Sequence, residues 1–81
     1  MNDAFLEDLG SRQSDLSRSE ARVAAWILAN PGAAVGASIQ TVASNSSVSE
    51  PTVVRFCRSM GLDGFRDLKT QLIASLQKAE S

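Results

Sequence analysis

The stretch S-I-Q-T-V-A-S-N-S-S-V-S-E-P-T-V-V-R-F-C-R-S-M-G, residues 38–61, decides the fold of this chain. It opens with a helix from Ser38 as N-cap to about Ser44, because a serine hydroxyl can accept from a free amide of the first turn. The polar run at 45–47 predicts a turn. A second helix is predicted over Ser49–Met60, and Gly61 supplies the left-handed residue that ends it.

The apolar residues of this stretch are spaced for a helix-turn-helix, in which two helices cross at a steep angle. A small residue has to lie where the helices cross, and Ala43 is at that position. An apolar residue has to close the turn, and Val48 follows it directly. We therefore predict a helix-turn-helix over about 38–60. The second helix carries one apolar stripe for packing against the first, formed by Val53, Phe56, Cys57 and Met60.

The rest of the chain also predicts helices, because no segment alternates apolar and polar residues for long. One helix is predicted over Asp3–Gln13 and one over Ser17–Asn30, where the following proline ends it. Residues 33–36 are predicted to be a weak connector with at most one short turn. The last helix is predicted from Asp63 to about Lys78. The predicted fold class is all-α: a five-helix domain over the whole chain, with a homeodomain-like three-helix core and flanking helices.

Two short segments, one before the second predicted helix and one in the turn of the helix-turn-helix, predict specific local geometry. The tetrapeptide Ser17-Arg18-Ser19-Glu20 has the form of a capping box. In that motif the Ser17 hydroxyl accepts from the Glu20 amide and the Glu20 side chain reaches back. Ser47 stands where many helix-turn-helix units have glycine. Its backbone is therefore expected to adopt a positive φ without glycine's help, or to use another turn shape.

The composition excludes several classes of function. A chain of 81 residues forms one domain. It has one cysteine and no histidine, which excludes an internal disulfide and a zinc site built from Cys and His. No signal peptide and no membrane-length apolar run is visible, so we expect a cytoplasmic protein without membrane, metal or cofactor. Without histidine, a glycine-rich phosphate loop or a nucleophile–base pair, the sequence predicts no enzyme.

Charge is unevenly distributed along the chain. The net charge of −1 argues mildly against nucleic-acid binding, since such domains are usually basic. Residues 1–50 have a net charge of −3, whereas residues 51–78 have +3. A regulator that binds as a dimer needs few phosphate contacts per subunit, so a modest positive face is sufficient.

The face of the second helix opposite its apolar stripe is left for a partner. In a helix-turn-helix, the first residues of this helix reach base edges in the major groove of duplex DNA. Arg55 and Arg58 lie about one turn apart and can read guanine, and Glu50 can accept from a cytosine amino group. Thr52 can offer a methyl group to thymine or a hydroxyl to phosphate. The start of the first helix offers free amides to phosphate. The candidate DNA-contacting residues are Ser38, Gln40, Thr41, Ser47, Ser49, Glu50, Pro51, Thr52, Arg55, Arg58 and Ser59.

Simpler interpretations exist for the charged residues of this face. Arg55 and Arg58 can belong to a solvated surface, paired with Glu50 or Asp63. A carboxylate in the first turn of a helix, such as that of Glu50, is favoured by the helix dipole alone.

Three residues outside this face also have two interpretations each. Lys69 can meet a phosphate, or form a salt bridge with Asp67 or another neighbour. Cys57 is more often a small buried apolar residue than a redox sensor. Trp26 can pack in the core or contact a second subunit.

The combined motifs resemble a known family. The run S-V-S-E-P-T-V-V-R-F-C-R at 47–58, with Gly61 and G-F-R-D-L-K at 64–69, is similar to the N-terminal domain of the RpiR family, bacterial regulators of sugar metabolism. The HexR-like subgroup is resembled most. L-S-R-S-E at 16–20 and A-N-P at 29–31 match the same domain. The resemblance covers almost the whole chain, roughly Leu6 to Leu76.

This resemblance implies a homodimer that binds a double-stranded DNA operator and regulates carbohydrate metabolism as an effector-controlled repressor. It implies that a phosphosugar effector acts through a C-terminal domain that this chain lacks, so the chain is expected to be a fragment. An alternative is a helical protein-interaction or dimerisation module without DNA readout. The acidic N-terminal half and the residues Leu72, Ile73 and Leu76 of the last helix motivate that alternative.

Overall fold

Six α-helices form the domain. The computed structural model describes residues 4–79, among which no strand occurs. The all-α fold class is confirmed, and the predicted start of the first helix at Asp3 lies outside the described residues. A short 3-10 turn, Gln13–Asp15, links the first two helices. The helices are α1 (Ala4–Arg12), α2 (Arg18–Ala29), α3 (Pro31–Gly36), α4 (Ile39–Ser46), α5 (Glu50–Ser59) and α6 (Phe65–Ala79).

The prediction of five helices was wrong, because the expected connector at residues 33–36 is part of α3. Pro31 occupies the first turn of that helix, where a missing amide has no intrahelical partner to lose. The amide of Ala34 donates to the Asn30 carbonyl at 2.9 Å, and the Ala34 side chain is buried. The proline therefore ends α2 and begins α3 at the same point. α3 packs against both α2 and α6.

The turn between α4 and α5 is shorter than predicted. α4 continues through Asn45 to Ser46, and the turn consists of residues 47–49. Ser47 adopts the left-handed conformation with φ 60° and ψ 42°, which confirms the expected positive φ. The amide of Val48 donates to the Ala43 carbonyl at 2.9 Å, and that of Ser47 to the Ser44 carbonyl at 3.2 Å. This pair of bonds is a Schellman motif with serine at the position that glycine usually occupies.

The end of α5 repeats the same motif with glycine. Gly61 has φ 80°, as its place after the helix predicted. The amide of Leu62 donates to the Cys57 carbonyl and the amide of Gly61 to the Arg58 carbonyl, both at 2.9 Å. Both helices of the helix-turn-helix thus end in the same hydrogen-bonded turn. After α5 the left-handed residue is glycine, which adopts this conformation without strain, whereas after α4 it is serine, which is strained there.

A three-helix core of α2, α4 and α5 holds the helix-turn-helix together. Each of these helices packs against the other two, α1 and α3 pack against α2, and α6 packs against α1, α3 and α5. The predicted apolar stripe of α5 is confirmed as buried. None of the described helices combines the length and the apolar content that a bilayer span requires. The buried hydrophobic residues are Leu9, Val23, Ala24, Ile27, Ala34, Ala37, Val42, Ala43, Val53, Phe56, Cys57, Met60, Leu68 and Leu72.

Replacing Ser47 with glycine is expected to stabilise the domain. A left-handed L-residue costs about 1–2 kcal/mol, and glycine loses about 0.5–1 kcal/mol more backbone entropy than other residues on folding. The expected net gain in the free energy of unfolding is therefore about 0.5–1 kcal/mol, measured by urea denaturation. Ser44→Gly is the matched control, because Ser44 is exposed within α4 and glycine there should destabilise. A loss of stability in both variants would contradict this account of the turn.

The stability of the domain is expected to fall at alkaline pH because of Cys57. Burial, with a smaller contribution from the charge of Asp67, raises the pKa of this thiol to about 11. The unfolded chain releases this proton at lower pH than the folded domain, so the stabilisation is complete below the unfolded pKa and is lost as pH rises toward 11. The expected loss in the free energy of unfolding is about 2–3 kcal/mol. Urea denaturation at a series of pH values from 8 to 11 measures it. Cys57→Ala should be less stable at pH 8 but should show a flatter pH dependence. An equally steep decline in that variant would assign the effect to other groups.

Candidate nucleic-acid interface

The outer face of α5 presents two arginines. Both Arg55 and Arg58 are exposed, on the side of the helix opposite the buried Val53 and Phe56. The pairing with Glu50 or Asp63 that a solvated surface would favour is absent: within residues 4–79 the ion pair present joins Asp8 and Arg12 on α1. Two guanidinium groups are therefore available for an external partner.

The start of α4 is organised by a serine–threonine pair. The Thr41 amide donates to the Ser38 hydroxyl oxygen at 3.1 Å, and the Ser38 hydroxyl donates to Thr41 Oγ1 at 3.1 Å. The Thr41 proton is left free to donate to a partner. Both residues and the intervening Gln40 are exposed. This arrangement suits an oxygen acceptor such as a phosphate, next to the unpaired amides of a first helical turn.

The start of α5 repeats this pair. The Thr52 amide donates to Ser49 Oγ at 3.3 Å, and the two hydroxyl oxygens lie 3.0 Å apart, with either able to donate. Glu50 and Pro51 follow in the first turn and are exposed, whereas Thr52 is half-buried. The serine caps fix the first turns of both helices, so that the polar groups beside them are held in place.

Ser59 is engaged within the domain. Its hydroxyl donates to Glu20 Oε1 at 2.9 Å, across 39 positions of sequence. The Glu20 side chain is only 7 % exposed. A hydroxyl that donates to a carboxylate can offer only lone pairs elsewhere, and a phosphate needs a donor. The bond therefore favours a structural role for Ser59 over the predicted contact with DNA.

This contact also changes the expected capping box of α2. The Glu20 amide donates to the Ser17 hydroxyl at 3.2 Å, as predicted. The Glu20 carboxylate, which was expected to reach back toward the cap, instead receives the hydroxyl of Ser59. Ser17 thus caps α2 by accepting from the Glu20 amide, and the Glu20 side chain holds α5.

Lys69 does not form the predicted salt bridge with Asp67, and its contact with a phosphate stays a prediction. Its ammonium donates to the carbonyl of Ala37 at 2.5 Å, and lies 5.4 Å from the centroid of the Phe65 ring. Asp67, the expected salt-bridge partner, accepts from the Asp63 amide at 3.1 Å. Lys69 thereby fastens α6 to the residue that directly follows α3. Sequence reasoning missed this because a lysine–carbonyl contact across 32 positions has no local signature.

All eleven predicted site residues lie on the surface, in two groups. Their contact with DNA stays a prediction, and among them Thr52 alone is half-buried. One group is at the start of α4 and the other comprises the turn and the outer face of α5. The exposed residues are Ser38, Gln40, Thr41, Ser47, Ser49, Glu50, Pro51, Arg55, Arg58 and Ser59.

Comparison of the sequence with known families identifies the kind of domain to which this surface belongs. The family described as the rpiR-family helix-turn-helix domain matches residues 3–79. The chain belongs to the rpiR family of helix-turn-helix domains. The match includes both candidate groups of the surface and all six helices.

Individual relatives agree with this rpiR assignment. The chain is 49 % identical over 72 residues to the transcriptional regulator HexR of Pseudomonas aeruginosa, and 51 % identical over 72 residues to HexR of Escherichia coli. Each alignment covers 89 % of the chain and 25 % of the relative, so the chain spans about a quarter of these proteins. A bifunctional protein glk of Burkholderia mallei is 37 % identical over 73 residues, 90 % of the chain and 11 % of that protein.

A solved structure supports the same fold. The N-terminal domain of the putative transcriptional regulator ybbH from Bacillus subtilis superimposes with a TM-score of 0.87 at 33 % identity. The superposition covers 90 % of this chain and 89 % of that one. The six-helix arrangement is therefore shared with another helix-turn-helix domain.

Replacing Ser59 with alanine is expected to destabilise the rpiR domain. The variant leaves a nearly buried carboxylate at Glu20 without its donor, which costs about 1–2 kcal/mol in the free energy of unfolding. Chemical denaturation measures this loss, and Ser19→Ala is the control, since Ser19 is an exposed helical serine. Equal stability of the two variants would show that the Ser59–Glu20 bond contributes nothing.

Proposed function

We propose that this domain binds duplex DNA sequence-specifically, with the first turns and outer face of α5 in the major groove and the start of α4 on the phosphate backbone. One observation carries the proposal: Arg55 and Arg58 are exposed on the outer face of the second helix of a helix-turn-helix, and neither lies in an ion pair within the described residues. Arginine forms bidentate hydrogen bonds with guanine in that groove. The family membership supports this orientation, since such units dock with this helix.

The regulatory context is proposed from the relatives. The two HexR relatives are named as transcriptional regulators, and the chain matches a quarter of each. We infer that the domain acts in the cytoplasm within a regulator of carbohydrate metabolism, as a homodimer and as a repressor. A phosphosugar effector would act through a C-terminal domain outside these 81 residues.

Selection of bound duplexes from a random pool tests the proposal with the domain itself. A dimer should enrich a two-fold symmetric motif whose half-sites lie about 34–36 Å apart, or a multiple of that distance. The logarithm of the affinity should fall linearly with the logarithm of salt concentration, with a slope of about −0.9 per phosphate contact. No binding to any duplex at low ionic strength would contradict the proposal.

A second candidate function is protein interaction through α6. Ile73 is 41 % exposed, the large apolar side chain most open to solvent in the described part of the chain, and Leu76 beside it is half-buried. Leu72, which the sequence grouped with them, is 1 % exposed and belongs to the core. Ile73→Lys therefore separates the two candidates, whereas a polar residue at position 72 would unfold the domain. If interaction through α6 is the sole function, Ile73→Lys abolishes partner binding and Arg55→Ala has no effect.

Arg55→Ala and Arg58→Ala are expected to weaken binding to the selected duplex by about 1–3 kcal/mol each if the arginine reads a base. A base contact also predicts relaxed preference at one position, whereas a phosphate contact predicts equal loss on all duplexes and a shallower salt slope. Fluorescence anisotropy over a salt series measures both.

Arg12→Ala is the control for these two variants. Arg12 is paired with Asp8 on α1, which packs against α2 and α6 rather than on the helix-turn-helix surface. The Arg12→Ala variant removes one positive charge from the chain, as the α5 variants do, but leaves α5 unchanged. Losses of affinity as large as those of the α5 variants would show that net charge alone determines binding.

A further inference from the structure

The hydroxyl of Thr52 is held inside the cap of α5. Thr52 Oγ1 lies 3.0 Å from Ser49 Oγ, and the Thr52 amide donates to the same serine oxygen at 3.3 Å. The side chain is half-buried, whereas its neighbours Pro51 and Arg55 are exposed. Sequence alone left two contacts open for this residue, a hydroxyl to phosphate or a methyl to thymine. The cap favours the methyl contact, because it already engages the hydroxyl oxygen.

The cap also fixes the position of the methyl group. Threonine is branched at Cβ, so a hydrogen bond that fixes Oγ1 fixes Cγ2 in a second staggered position. The hydroxyl oxygen is turned toward Ser49 Oγ and is engaged in the cap, whichever of the two oxygens donates. The methyl group takes no part in that hydrogen bond and can contact a base without changing the cap.

The equivalent residue of α4, Thr41, is more exposed than Thr52. There the Ser38 hydroxyl donates to Thr41 Oγ1, which leaves the Thr41 proton free for an acceptor, and Thr41 is exposed. At α5 either oxygen can donate, and the threonine is half-buried. The exposed Thr41 therefore suits a phosphate, and the half-buried Thr52 suits an apolar contact through its methyl group.

We propose that Thr52 is a specificity-determining residue that recognises thymine through its methyl group, with the hydroxyl retained in the cap. This inference rests on the proposed DNA binding. The thymine C5-methyl is the apolar group that the major groove exposes, and it distinguishes thymine from the other bases. Arg55 and Arg58 would then read guanines while Thr52 reads a neighbouring thymine, so the three residues specify a mixed sequence rather than a purely guanine-rich one.

Replacement of thymine by uracil in the selected duplex tests this inference, because it removes the methyl group and leaves base pairing intact. The wild-type domain should lose about fourfold in affinity at one thymine of each half-site, the value of one buried methyl group. Thr52→Ser, which keeps the hydroxyl and lacks the methyl, should bind both duplexes equally. Thr52→Val, which keeps the methyl and lacks the hydroxyl, should still prefer thymine. Thermal melting of each variant verifies that the fold is retained.

Several results would overturn the inference alone. These are a selected motif without a fixed thymine, a wild-type domain that binds both duplexes equally, or a Thr52→Ser variant that still prefers thymine. Loss of the preference in Pro51→Ala or Val54→Ala, but not in Thr52→Ser, would assign the contact to another side chain of α5. Failure to bind any duplex at low ionic strength would overturn the proposed function and this inference with it.

Discussion

The left-handed backbone at Ser47 is the constraint on which the helix-turn-helix depends. With only residues 47–49 between α4 and α5, the chain has to reverse within one turn, and a positive φ at the first of them makes this possible. The bond from the Val48 amide to the Ala43 carbonyl then fixes where α5 begins. Ala43 is buried near the end of α4, and Val48 is partly buried against the core, as the helix-turn-helix pattern requires. The outward direction of Arg55 and Arg58 follows from this turn, since the stripe that includes Phe56 must face α2 and α4.

Much of this arrangement could be predicted from the sequence because it has local causes. The apolar stripe of α5 has helical period, Ser38 and Ser49 precede helices as caps, and Gly61 marks the end of α5. The two errors also have local causes. Asn30-Pro31-Gly32 predicts only the end of a helix, although a proline suits the first turn of a helix as well as the end of the preceding one. The polar residues Asn45 and Ser46 were assigned to the turn, although Ser46 is buried and continues α4.

The polar contacts that fasten the helices to one another could not be predicted. Glu20 with Ser59, and Lys69 with Ala37, join residues more than 30 positions apart. Each of these side chains has a reasonable local interpretation, as a cap residue, a groove contact or a surface charge. Only the packing of α2 on α5, and of α6 on α3, brings the pairs together. A reading of the candidate surface from sequence therefore overestimates the number of polar groups that are free, and Ser59 is the clearest example.

The complete burial of Cys57 gives the domain an intrinsic reporter of its own opening. Its side chain is 0 % exposed, and burial holds the thiol in the protonated form, which is a poor nucleophile. Alkylating agents and peroxide can reach this sulfur only in molecules that have transiently lost the packing of α5. When closing is fast, the rate of labelling then follows the population of opened molecules rather than the intrinsic reactivity of the thiol. A ligand that holds α5 in place would protect the sulfur without touching it.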